Sequence, residues 1–365
     1  MPLIRKHAEN PRIKQKLKMK NISLKNDAGL LALSIRLVIG WTYFSAFWRR
    51  TVLANKLDPE TTGYIGEKFN NFLPNALGIK PVIQFLLENP DILWFSMVGF
   101  TIIEGIVGLF IMFGLFTRIM SIGVFGLALG ILLGAGWIGT TCLDEWQIGV
   151  LGIATGFMLF LTGSGKYSLD HYILKNEIPI SKKKWFPWIG SGPLPIKESL
   201  FPKFVLLGSL LILGTTLMTN QIFHGGLWGI LHNKSIQPKI EISKGDIKNG
   251  VLSFEIFRTE GVDVYGSWAI GIELNDEEGN SIITYGPEDL ASLNSASIYN
   301  YYIAEVKPGQ HSLVIPLGAK ATIKLNEDRL KELPKGNYKV KIIDISGVFW
   351  EHEIAHLPKN TSIKN

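Results

Sequence analysis

Apolar residues gather into five long blocks before Phe223, whereas beyond Ile236 they recur in short runs separated by polar residues. A bilayer core of about 30 Å takes roughly 20 apolar residues in a helix. Residues 28–48, 92–116, 119–138 and 204–223 meet that length. Residues 146–161 are shorter, but the block can extend toward Leu143, and Trp146 and Tyr167 flank it with rings suited to a membrane interface. The pattern predicts five spans. Gly126, Gly130 and Gly134 in the third, and Gly152 and Gly156 in the fourth, recur at helical spacing, which lets backbones approach closely. The first four spans are therefore expected to form a compact bundle, with the Pro- and Lys-rich stretch 178–202 separating it from the fifth.

The later pattern is β-like. Runs at 239–243, 251–258, 265–274, 281–285, 311–316, 338–345 and 348–354 are punctuated by Gly, Pro, Asn and Asp, which predicts an all-β sandwich. An immunoglobulin-like arrangement is among the topologies that fit. The expected fold is thus an integral membrane α-helical bundle, four helices plus a fifth transmembrane helix, carrying a C-terminal β-sandwich. The expected boundaries are a basic arm at 1–27, a four-helix bundle at 28–175, a linker at 176–202, the fifth span at 203–223 and the β-domain at 236–358.

Charge sets the expected orientation. Only 19% of the 365 residues are charged, against about a quarter in soluble domains. The net charge is +6, yet the basic residues do not form a patch interleaved with aromatics, so nucleic acid is not an expected partner. The arm 1–27 has eight Lys and Arg against two acids, and residues 164–203 hold seven lysines. The 49–91 loop balances five basic against five acidic residues, and 139–145 has no basic residue. Cytoplasmic loops hold the Lys and Arg excess. The N-terminus and the 164–203 segment are then inside, while the β-domain is extracytoplasmic, or periplasmic, on a multi-pass protein of the plasma (inner) membrane. The arm lacks the small-residue cleavage site of a secretory signal.

Cys142 is the single cysteine, which excludes an intrachain disulfide, a CxxC redox pair and a covalent c-type haem. The histidines are scattered, with no ligand-spaced pair within a span. Neither haem nor metal is expected.

Charged residues inside a span are costly and mark candidate sites. Arg36 and Glu104 each lie 12 residues from the outer end of their span, about 18 Å deep at 1.5 Å per residue, so they are expected to be able to pair. Such a pair serves either as a structural lock on bundle register or, with Glu104 as a proton carrier, as part of a quinone site. Arg36, Gly40, Tyr43, Phe47 and Arg50 fall on one helical face, with Trp41, Phe44 and Trp48 beside it. Arg49 and Arg50 either snorkel to headgroups or bind a sulfur or phosphorus oxyanion, which suits guanidinium forks. Cys142 is either a small buried apolar residue or, if an arginine stabilises its thiolate, a nucleophile toward sulfur. Asp144 and Glu145 stand beside it.

The stretch Arg36-Leu-Val-Ile-Gly-Trp-Thr-Tyr-Phe-Ser-Ala-Phe-Trp-Arg-Arg50, followed by the glycine-rich spans and by Gly-Thr-Thr-Cys-Leu-Asp-Glu-Trp-Gln-Ile-Gly149, resembles DoxD. DoxD is a membrane subunit of thiosulfate:quinone oxidoreductase within the wider DoxX-like group. The region from about Lys203 onward, one span plus a β-rich domain, resembles its partner DoxA by architecture and position. The resemblance implies oxidation of two thiosulfates to tetrathionate with reduction of a membrane quinone, by a chain that fuses two polypeptides. It carries no catalytic residue over.

On chemistry and topology, Cys142 and Glu104 are the expected catalytic groups. Arg49, Arg50, Asp144 and Glu145 are the expected substrate-binding residues. Arg36, Trp41, Tyr43, Phe44, Trp48 and Trp94 are expected around quinone. Membrane lipid, thiosulfate and quinone are the expected partners, and a homo-oligomer is compatible with the pattern. The rival readings are a non-enzymatic membrane scaffold or accessory subunit recruiting an extracytoplasmic partner, and a sulfur-anion transporter. The transporter ranks last because the sequence lacks a two-fold internal repeat.

Overall fold

The computed structural model describes residues 28–139, 144–262 and 266–356. Contacts divide the chain into two units. One takes the described residues up to Thr61 with Phe95–Leu132 and Trp146–Gly229; the other takes Thr62–Trp94, the described residues of 133–145 and those from Ile230 onward.

The first unit is helical and membrane-embedded. Its long helices are α1 (Leu33–Trp48), α2 (Pro90–Phe113), α3 (Thr117–Ala135), α4 (Asp144–Thr162) and α5 (Phe201–His224). Among the described residues, α2 to α5 contain the four segments long and apolar enough to cross a bilayer. α1, expected as a full span, has 16 residues, or about 24 Å at 1.5 Å per residue. It gains length from the helical residues 28–31, set off by a turn at Ala32, and from the π-helical turn Arg49–Leu53. α4 starts at Asp144, so the short fourth block does extend toward Leu143.

The bundle core packs Tyr43 of α1 on Val107 and Ile111 of α2, Val124 and Leu127 of α3 and Leu159 of α4. Two glycine crossings bring helices together. A Cβ on Gly108 would lie 2.4 Å from the Phe44 nitrogen, and one on Gly40 would lie 2.8 Å from the Gly108 carbonyl oxygen, so α1 and α2 meet backbone to backbone. On α4, Gly152 faces Ala128 and Gly156 faces the backbone of Ser121 and Phe125. The expectation for α3 needs correction: Gly126 and Gly130 face open space, and it is Ala128 and Phe125 that receive the α4 glycines.

α5 is mostly exposed along its apolar length, as a helix bathed in lipid would be. It touches α4 at both ends. The Phe204 ring lies 6.0 Å from that of Phe157, and Trp146 Nε1 donates to Thr219 Oγ1 at 3.0 Å.

The stretch after α4 is tied back to the bundle. Arg118 donates to the carbonyls of Phe160 (2.9 Å), Gly192 (2.6 Å) and Pro187. Asp170, fully buried, accepts from the backbone nitrogens of Phe116 and Thr117, from Thr117 Oγ1 and from Ser191 Oγ, all at 2.8–3.0 Å.

The second unit holds an all-β domain of two antiparallel sheets. The strands are β1 (Lys239–Lys248), β2 (Val251–Glu260), β3 (Ser267–Asn275), β4 (Ser281–Tyr285), β5 (Ile298–Asn300), β6 (Lys307–Pro308), β7 (Leu313–Ile315), β8 (Lys320–Asn326), β9 (Gly336–Asp344) and β10 (Phe349–His356). One sheet runs β1-β2-β8-β5 and the other β10-β9-β3-β7-β6, with β4 on β3. Alternate residues such as Phe254, Ile256, Ile323, Leu325, Val340 and Ile342 point into one shared core. The seven expected runs correspond to seven of these strands, but β8, central in its sheet, was missed.

Candidate functional site

α1 reaches its Arg50 end through the expected face. Arg36, Gly40 and Tyr43 are buried along it, and the π-helical turn then carries Arg49 and Arg50. π-helical turns recur at functional sites because they re-aim side chains out of the regular ladder. Here the turn brings the Arg50 guanidinium onto the Glu104 carboxylate of α2, an ion pair whose side chains are 19% and 5% exposed. The Arg36–Glu104 pairing expected from depth is not formed. Arg36 instead donates to the Tyr167 carbonyl at 2.5 Å and to that of Ser164. Depth counted from span ends misled because fourteen residues of helix, about 21 Å, separate Arg36 from Arg50, and Glu104 lies at the Arg50 end.

Arg49, exposed, donates through Nε to the Ser45 carbonyl at 3.3 Å and lies close enough to act electrostatically on Glu104. Tyr43, one α1 turn and more toward Arg36, donates to the Val124 carbonyl at 3.4 Å and also feels the Glu104 charge. Sequence reasoning missed Thr101. It stands three residues before Glu104, on the same α2 face, fully buried, and its hydroxyl has no hydrogen-bond partner. The spacing from Glu104 was the signal. The two helices thus bring a buried carboxylate, a half-buried guanidinium and a buried hydroxyl into an apolar bundle, an arrangement able to hold an anion's charge or a proton.

The aromatic positions separate. Trp41, Phe44 and Trp48 form a ridge with ring centroids 6.0–6.1 Å apart, and Trp41 and Trp48 are exposed. Tyr43 points the other way, into the core. Trp94 is half-buried and belongs to the second unit, as does Glu145. Cys142 and the Asp144 side chain lie outside the described residues.

The β-domain has a polar hollow of its own, about 570 Å³, lined by Ser243, Glu255, Lys320 and Trp350 among others. The buried Glu255 carboxylate lies between Lys320 at 3.0 Å and Lys244 at 3.1 Å. Burial pushes its titration up, but the two ammonium groups together outweigh burial and hold it below the usual carboxylate range.

A family model described as the TQO small subunit DoxD matches residues 31–197, and one described as the TQO small subunit DoxA matches residues 223–353. The chain carries a DoxD-family segment and a DoxA-family segment. It joins them in that order in one polypeptide, which places it in the thiosulfate:quinone oxidoreductase (TQO) system. The Arg50–Glu104 pair and Thr101 lie within the DoxD match, and the Glu255 hollow lies within the DoxA match.

Proposed function

We propose that this chain is a thiosulfate:quinone oxidoreductase that couples two thiosulfates into tetrathionate and passes two electrons to a membrane quinone. The observation that carries the reading is the ordered match to both TQO subunit families, together with the part-buried Arg50–Glu104 pair at the end of α1. In the proposed topology the N-terminus is cytoplasmic, five helices cross the plasma membrane and the β-domain is extracytoplasmic. Arg49 and Arg50 then stand at the outer side.

Thiosulfate binds there on the two guanidinium groups, which offset its two negative charges. The Cys142 thiolate takes up the sulfane sulfur as Cys–S–S–SO₃⁻, and the electron pair released reduces quinone, which takes up two protons. A second thiosulfate attacks that same sulfane sulfur, the cysteine thiolate leaves, and tetrathionate departs. One cysteine suffices because the second substrate resolves the adduct. Quinone lies along the Trp41, Phe44 and Trp48 ridge. Glu104, coupled to Arg50, carries a proton to the reduced ring.

Purified, detergent-solubilised chain is expected to reduce a short-chain quinone on addition of thiosulfate, with one tetrathionate formed per quinol. Cys142→Ser is expected to abolish both, and Arg50→Ala to raise KM for thiosulfate. Turnover surviving Cys142→Ser would remove the covalent step and leave direct coupling at the arginines. An unmodified chain that binds quinone but never reduces it would instead be an accessory subunit.

A further inference from the structure

The second unit draws on both family segments. Asn70, in the short helix Glu67–Phe72, is fully buried. Its Nδ2 donates to the Gly318 carbonyl at 3.1 Å, and its Oδ1 accepts from the Ala304 nitrogen at 3.2 Å. One amide thereby bridges two separate turns of the β-domain. Gly318 is tight against the Asn70 backbone: a Cβ there would lie 1.8 Å from the Asn70 carbonyl oxygen, and its φ of +73° is one that L side chains rarely adopt.

Five residues on, Asn75 repeats the arrangement. Its Nδ2 donates to the Thr259 carbonyl at 2.9 Å, and its Oδ1 accepts from Lys234 Nζ at 3.0 Å. A third contact comes from Gly139, whose nitrogen donates to Ser235 Oγ at 3.0 Å and whose carbonyl accepts from Asn233 Nδ2 at 2.7 Å. The two loops also brace each other, since the buried Trp137 donates to the Phe72 carbonyl at 3.3 Å and the Leu77 nitrogen donates to the Leu133 carbonyl at 2.7 Å. Residues 70, 75 and 139 lie in the DoxD match; 233–235, 259, 304 and 318 lie in the DoxA match.

We propose that the loop bearing Asn70 and Asn75 is the seat of the β-domain, a built-in interface that holds the DoxA part onto the DoxD part without help from the covalent connection. Each amide has both its donor and its acceptor satisfied, and at the fully buried Asn70 its removal leaves the partner groups desolvated and unpaired, while Asn75 is half-buried. The interface is therefore selective for this β-domain's turns, and any apolar replacement at either asparagine weakens it.

The connection after α5 supplies the test, because residues 226–232 are exposed and Gly229 has open space around it. A protease site inserted between Gly229 and Ile230 in the full chain, purified in detergent on an N-terminal tag, lets the connection be cut after folding. The cleaved fragment from Ile230 onward is expected to stay on the tagged half through extended washing. Asn70→Ala with Asn75→Ala is expected to speed its release by roughly a hundredfold, about tenfold for each asparagine. Asn70→Asp, which keeps size and acceptor but sets a buried carboxylate against the Gly318 carbonyl, is expected to release the fragment at least as fast as Asn70→Ala. Gly318→Ala tests the same contact from the β-domain side and is expected to release the fragment as well. Both asparagines lie on the tagged half, so their replacement leaves the sequence of the released fragment unchanged. A wild-type fragment that washes off at once, or variants that hold it as firmly as wild type, would overturn the proposal.

Discussion

At the scale of single residues, the Arg50–Glu104 pair decides how much the site costs the fold. Removing one partner leaves the other charged in an apolar bundle, which in proteins costs about 3–5 kcal/mol. Glu104→Ala and Arg50→Ala are each expected to lower thermal stability in detergent by that order, while Glu104→Leu with Arg50→Leu recovers a large part. A double-mutant cycle with additive losses would show that the two side chains do not interact. The Glu255 carboxylate of the β-domain makes a second residue-scale case, this time in pH. Its folded titration lies below the ordinary value of 4.5, so its stabilisation is complete above that value and is lost as pH falls through the folded one. Chemical unfolding of the purified chain is expected to show β-domain stability declining on acidification below about pH 4.5, with a shallower decline in Glu255→Gln, where Asp276 and Asp328 remain as depressed carboxylates. Lys320→Ala, which leaves exposed Lys244 and the Ser243 hydroxyl beside Glu255, is expected to cost roughly 1–2 kcal/mol at neutral pH. Sequence alone showed that Arg36, Arg50 and Glu104 were the unusual residues, because charge inside an apolar block is conspicuous. It did not show who pairs with whom, since pairing depends on where each helix starts and on the π-helical turn at Arg49.

At the scale of elements, the glycines separate into those that let helices touch and those that do not. A Cβ at Gly108 would lie inside the contact distance of the α1 backbone, whereas one at Gly130 meets nothing within 4 Å. Gly108→Val is expected to lower the melting temperature in detergent by forcing α1 and α2 apart, at a cost of at least about 1–3 kcal/mol. Gly130→Ala is expected to raise it slightly, by about 0.5–1 kcal/mol, through reduced backbone entropy in the unfolded chain. A neutral Gly108→Val would mean that the crossing is looser than the backbone geometry indicates. Periodicity marked the spans and most strands, because lipid and a sandwich core each impose a simple repeat. It passed over β8, whose buried Ala321, Ile323 and Leu325 alternate with outward residues that include Lys320 and Lys324, so its average polarity resembles a loop. The glycine repeat in α3 was legible as a repeat, but which face of a helix meets a neighbour is set by the partner helix and not by the repeat itself.

At the scale of the whole chain, the linear order of family segments and the three-dimensional division do not coincide, because residues 62–94 and the described residues of 133–145 in the DoxD match are grouped with the β-domain. Nothing in their composition announces this; a polar asparagine in a loop becomes an anchor only when a distant turn supplies its partners. Orientation, in contrast, rests on an excess of Lys and Arg that is visible in one dimension, and it makes the most direct whole-molecule prediction. Lys183 falls in the basic stretch expected in the cytoplasm, and Lys307 is an exposed position on the β-domain. In a Cys142→Ser background, Lys183→Cys and Lys307→Cys each give the chain one thiol. A membrane-impermeant maleimide added to intact cells whose outer barrier has been opened is expected to label the residue at 307 and spare the one at 183, with both labelled once the inner membrane is permeabilised. The reverse pattern would place the arginines of the α1 end on the cytoplasmic side, and thiosulfate would then have to reach them from within the cell. Labelling of both positions before permeabilisation would instead put residues 183 and 307 on the same side of the membrane, in which case α5, the long helix between them, would not cross the bilayer at all.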